Sequence, residues 1–132
     1  MIGRVLDTTA LVDFATRRTR YVEAVIWSRI SDVAPLIIPV PALTAALAQI
    51  PAPAVPILDT LLALEVRVVD DLTANSAPSI AAILKIAGPY AAEALTAASV
   101  VHAARRRGLP IVTGNPFPLR ALAADVEIDP IP

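Results

Sequence analysis

The sequence contains no cysteine and a single histidine in 132 residues. A disulfide framework and a thiolate metal centre are therefore excluded. Glycine is scarce, and no glycine-rich phosphate loop can be assembled from four of them. Charged residues make up only 17% of the chain and the net charge is −1, so there is no global attraction to nucleic acid. No uninterrupted apolar run approaches the roughly 20 residues that span a bilayer. A membrane partner is not expected. The chain enters a strand almost at once, without a signal peptide, and a cytoplasmic location is expected. Internal repeats and low-complexity tails are also missing.

What remains is strongly apolar. Hydrophobic residues make up 56% of the chain and the mean hydropathy is +0.67. This composition excludes a disordered chain. The length fits one domain, over residues 1–132, with room for a real core. The excess apolar surface needs cover, so a homodimer or a bound partner is expected. Two basic clusters, Arg17, Arg18 and Arg20 early and Arg105, Arg106 and Arg107 late, read as solvated faces.

The chain alternates strands with helices. Ile2 to Leu6 is a strand with no polar alternation, as in a strand buried on both faces. Short helices are predicted from Thr9 to Ala15 and Tyr21 to Ile30, the first capped by Thr8 or Thr9. Trp27 in the second reads as core or interface. Leu36 to Ile38 is a second buried strand, followed by a helix from Ala42 to Ile50 with Pro41 in its first turn. Pro51, Pro53 and Pro56 stiffen the connection to a helix ending near Ala63. A third strand covers Val66 to Val69 and a helix covers Ser76 to Ile86. Gly88-Pro89 breaks the chain before a long helix from Ala91 to Arg107, closed by Gly108. Strands at Leu109–Val112 and Val126–Ile128 flank a helical turn from Pro118 to Ala123. This order predicts an α/β fold with a parallel sheet covered on both faces.

Two strand ends are polar: Asp7-Thr8-Thr9 and Thr113-Gly114-Asn115. Glu93 opens the long helix. In a right-handed α/β fold, strand ends and helix starts share one edge of the sheet, where ligands bind. Asp7, Glu93, Thr113 and Asn115 can therefore converge. Oxygen ligands without cysteine favour a hard cation, Mg²⁺ or Mn²⁺. Such a site suits metal-assisted attack of water on a phosphodiester. Asp13, on the first helix, reads as solvated. His102, on an alanine-rich helix, reads as a surface or packing residue.

Three stretches carry a family resemblance. Val5-Leu6-Asp7-Thr8-Thr9-Ala10-Leu11-Val12 resembles the opening of PIN domains, particularly the VapC-type toxins. Glu93-Ala94-Leu95-Thr96-Ala97-Ala98 resembles that family's acid-led central helix. Leu109-Pro110-Ile111-Val112-Thr113-Gly114-Asn115 resembles its closing strand and turn. The resemblance spans essentially the whole chain. It implies a PIN-like three-layer sandwich with a five-stranded parallel sheet. It also implies a Mg²⁺ or Mn²⁺ site made by three or four acids, ribonuclease activity, dimerisation and inhibition by a small antitoxin protein.

The sequence departs from that pattern at the site itself. The family's second acid is a Glu in the helix after the second strand, and Leu47 stands in its place. Nothing between Asp32 and Asp59 is charged. Glu93 stands where the family usually has Asp, and Asn115 stands in place of the fourth acid. Four carboxylates would carry about −4; Asp7 and Glu93 carry about −2. Two carboxylates hold Mg²⁺ weakly, mostly through retained water. The reading is a metal-dependent ribonuclease with an incomplete acidic quartet, its activity weak or lost. Asp7, Glu93 and Asn115 would ligate the metal, with Thr8, Thr113 and Asn115 in support. The alternative is an inactive PIN-like domain kept for protein binding or homo-oligomerisation, with the helix from Ala42 to Ile50 as its interaction surface.

Overall fold

Val5, Leu6, Leu36, Ile37, Ile38, Ile111 and Val112 are almost completely buried. Strands apolar on both faces need helices above and below them. The computed structural model, which describes residues 2–132, provides that cover. Strands β1 (Arg4–Leu6), β2 (Leu36–Pro39), β3 (Arg67–Asp70), β4 (Ile111–Thr113) and β5 (Ile128–Pro130) form one sheet. Every pairing is parallel and the order is β3-β2-β1-β4-β5. Seven helices flank it: α1 (Thr8–Thr16), α2 (Tyr21–Asp32), α3 (Val40–Gln49), α4 (Val55–Leu62), α5 (Ala77–Leu84), α6 (Leu95–Arg107) and α7 (Phe117–Leu122). No helix among the described residues is long and apolar enough to cross a membrane.

The strand order explains where a site can form. From β1 the chain moves outward through β2 to β3, then returns across the sheet to β4 on the other side of β1. Right-handed crossovers in opposite directions lie on opposite faces. Their divergence opens a crevice at the carboxyl ends of β1 and β4. Asp7 follows β1 directly and Thr113 ends β4, so both stand at this switch point.

Local chemistry sets several boundaries. Gly3 lies against Pro35 so closely that a Cβ would sit 2.3 Å from the Pro35 carbonyl oxygen. Only glycine lets β1 start beside β2 there. Gly108 ends α6 in the left-handed conformation, at φ 64°, as its position after Arg107 predicts. Around Gly88-Pro89 the chain is less helical than the sequence suggests. The helix α5 stops at Leu84, a 3₁₀ segment runs from Lys85 to Tyr90, and α6 starts only at Leu95. Gly88, at φ 57° and ψ −122°, and the following proline break the hydrogen-bond ladder.

Polar contacts fasten the layers. Asp129 on β5 accepts from Arg4 Nε at 2.9 Å and from the Tyr21 hydroxyl, tying β5 to β1 and α2. The late arginine cluster stays at the surface, as expected, but is paired. Arg107 and Arg106 pair with Asp70 at 2.9 and 3.6 Å, and Arg105 pairs with Asp125 at 2.7 Å. Trp27 does not enter the core, being 63% exposed on α2.

Candidate functional site at the β1–β4 switch point

Asp7 itself caps α1; the expected threonine cap is displaced by the acid preceding it. Its Oδ1 accepts from the Ala10 amide at 2.9 Å and from the Thr9 hydroxyl at 2.7 Å. The residue is only 7% exposed. Burial pushes its carboxyl above the usual aspartate range. The Thr113 and Thr9 hydroxyls and the Ala10 and Thr9 amides counter this by stabilising the charged form, without reversing the direction.

Thr9 is the hub that joins the two strand ends. Its Oγ1 accepts from the Gly114 amide at 2.8 Å and lies 3.3 Å from Thr113 Oγ1. Thr113 is fully buried, and its hydroxyl accepts from the Asn115 amide at 3.0 Å. The structure thus brings Asp7, Thr113 and Asn115 into one hydrogen-bonded cluster, as their strand positions predict. Thr9 is the site residue to which sequence reasoning gave no more than a possible helix cap. The signal for it was its place two residues after an acidic cap, where its hydroxyl can reach back to that carboxylate. Thr8 points elsewhere: its hydroxyl donates to the Ala42 carbonyl at 3.5 Å and links α1 to α3.

Glu93 occupies the turn over residues 91–94 that precedes α6, and it is exposed. It makes no hydrogen bond or ion pair with the Asp7 cluster. Leu47 is 41% exposed on α3, whose inner face, Ala42 and Ala46, is fully buried. Among the described residues, no three His, Cys, Asp or Glu side chains are grouped to hold a metal ion. The residues present do not fit a divalent ion held by three or four carboxylates. What this edge offers instead is a network of hydroxyls and amides around one buried acid.

Asp13 is the second buried acid, and the solvated position expected for it is not what the structure shows. It is 4% exposed. Its Oδ1 accepts from the Thr19 amide at 3.1 Å and its Oδ2 from the Thr19 hydroxyl at 2.8 Å. These bonds fix the loop between α1 and α2. A cleft of about 360 Å³ opens between this loop and the β4 turn, with Thr9, Arg18, Gln49 and Asn115 on its walls. A separate groove of about 420 Å³ lies between α2 and α4, lined by Phe14, Ile26, Trp27, Ile57 and Leu61 among others.

No protein-family model and no curated protein matches the sequence. Solved structures share its architecture. A chain of VapBC2 from Rickettsia felis, crystallised bound to a DNA fragment from their promoter, matches with a TM-score of 0.68 at 12% identity, over 100% of both chains. A chain of FitAcB from Neisseria gonorrhoeae matches with a TM-score of 0.54 at 16% identity, over 97% of this chain and 96% of that one. The chain therefore has the PIN-like α/β fold that these structures share, a five-stranded parallel sheet between helices.

Proposed function

We propose that this chain is a VapC-like PIN domain of a toxin–antitoxin system whose ribonuclease site has been reduced, so that RNA hydrolysis is slow or lost. The observation that carries this reading is the sparse carboxylate set at the switch point. Leu47 presents a hydrocarbon where an acid is needed, Asn115 presents an amide, and Asp7 is buried with its carboxyl raised. A Mg²⁺ or Mn²⁺ ion would depend on Asp7 and Glu93, with Asn115 as a neutral ligand and water filling the remaining positions. Weak binding of that kind does not hold a phosphodiester and an attacking water in register.

A retained role in binding is supported by the apolar groove between α2 and α4. Trp27 on its wall is 63% exposed, although the aromatic content of the chain is only 4%. A small antitoxin protein or a second copy of this chain would cover it. The helix α3 is less suited to this role, because its alanine face is already packed inside the fold.

Incubating the protein with labelled single-stranded RNA and Mn²⁺ tests the reading. The expected result is cleavage at or near background. Robust cleavage that disappears in Asp7→Ala would overturn it.

A further inference from the structure

The two arginine clusters look alike in the sequence, but the fold treats them differently. Arg105, Arg106 and Arg107 are all held in ion pairs. Arg17, Arg18 and Arg20 make no ion pair and no side-chain hydrogen bond among the described residues. All three lie in the loop between α1 and α2, and all are exposed. Three unpaired cations in one short loop raise the local positive potential, which favours an anion beside them.

The loop is also rigidly placed. Arg17 takes the left-handed conformation, at φ 53°. The Arg18 amide donates to the Asp13 carbonyl at 3.2 Å, and Thr19 occupies both Asp13 carboxylate oxygens. Arg18 is thereby held on the wall of the 360 Å³ cleft. Thr9, rather than Asp7, faces that cleft. The one acidic side chain on its lining, Asp13, is buried and hydrogen-bonded on both oxygens. The polar side chains left free on the lining are the Arg18 guanidinium and the Gln49 and Asn115 amides, beside an apolar patch of Val12 and Ile131. The cleft is therefore equipped for an anion rather than for a metal ion. A guanidinium fork matches phosphate oxygens two at a time, and the apolar patch suits a sugar or base edge.

We propose that this cleft binds the phosphate group of a nucleotide, free or within an RNA strand, directly through Arg18 and without a divalent cation. The assignment shares with the proposed function only the edge of the sheet that carries the ligand, and it needs no hydrolysis. A cleavage assay and a binding assay in chelator can therefore fail independently.

The test is fluorescence anisotropy of a labelled short oligouridylate, titrated with the full chain in excess EDTA at low salt. Binding is expected, and Arg18→Ala is expected to weaken it by about tenfold or more, the loss typical of one charge-assisted phosphate contact. Arg18→Lys keeps the charge but not the fork, and should fall between the two. Arg105→Ala should stay within about twofold of wild type, since an exposed paired arginine contributes little. Arg18 is exposed and unpaired, so its variants keep the fold, and a thermal melt checks this. Displacement of the oligonucleotide by adenosine monophosphate identifies a free nucleotide as a source of the phosphate. Arg18-dependent binding without that displacement assigns the phosphate to a strand. Absence of binding in EDTA, equal binding by Arg18→Ala, or equally effective competition by polyglutamate would each overturn the proposal.

Discussion

Thr9 donates its hydroxyl proton to Asp7 Oδ1 at 2.7 Å while accepting the Gly114 amide on the same oxygen at 2.8 Å. One side chain thus couples the acid at the end of β1 to the turn at the end of β4. Asp7 Oδ1 is committed to protein donors, and the residue is held largely out of water. In this chain it helps to join the two halves of the sheet.

The first prediction concerns the cost of that burial. The folded-state carboxyl of Asp7 titrates above its ordinary value, because burial penalises the charged form. The native state thus holds this proton more tightly than the unfolded chain. The stability linked to it is fully present below the ordinary aspartate range and is lost as pH rises through the raised folded value. An asparagine cannot ionise, yet its Oδ1 can accept both the Ala10 amide and the Thr9 hydroxyl. Asp7→Asn should therefore be more stable than wild type at neutral pH, by about 1 kcal/mol or roughly 4 °C in Tm. Asp7→Ala, which loses the cap, should be less stable by about 1 kcal/mol. Melting curves across the acid-to-neutral range decide the matter. Equal losses in both variants would mean that the Asp7 charge itself stabilises the fold.

A second prediction follows from Asp13. Removing its carboxylate frees the Thr19 amide and hydroxyl and releases the loop that carries Arg17, Arg18 and Arg20. Asp13→Ala should lower stability by about 3 kcal/mol, the effect of losing bonds to a buried charged acceptor. Native-state trypsin digestion should also cut within residues 17–20 faster than in wild type, because local opening becomes easier. An unchanged cleavage rate in that loop would contradict the pinning role.

Val33 supplies a third. It ends α2 at φ 54°, a conformation that β-branched residues disfavour, and its side chain is 81% exposed. Glycine adopts this geometry without the steric penalty of about 1 kcal/mol. Val33→Gly should raise Tm by a few degrees. A fall in Tm would show that the valine makes up for its backbone strain through contacts with its surroundings.

The elements and their order were legible because the strands are short, apolar and punctuated by proline, while the helices carry caps and breakers. The parallel sheet and the convergence of Asp7 with Thr113 and Asn115 followed from strand-end positions alone. The state of the acids was not legible. Asp7 and Asp13 lie six residues apart, one at the end of a strand and one in a helix, and nothing local distinguishes a site acid from one that pins a loop. Asp13 is buried only because the chain returns at Thr19 to satisfy it. The two arginine clusters were likewise indistinguishable until the fold brought Asp70 and Asp125 to one of them. The start of α6 was misplaced because the alanines before Leu95 favour helix, while the chain leaves the Gly88-Pro89 break through a turn over residues 91–94.

The central claim is that the switch point lacks the carboxylates needed to hold a divalent ion. Calorimetric titration with Mn²⁺ tests it most directly, comparing wild type with the double variant Leu47→Glu, Asn115→Asp. Both positions are exposed, so the substitutions should change stability little. Wild type should show no saturable binding below millimolar Mn²⁺, and the double variant should bind at least about tenfold more tightly. Tight, saturable Mn²⁺ binding by the wild-type chain, abolished in Asp7→Ala, would contradict the account.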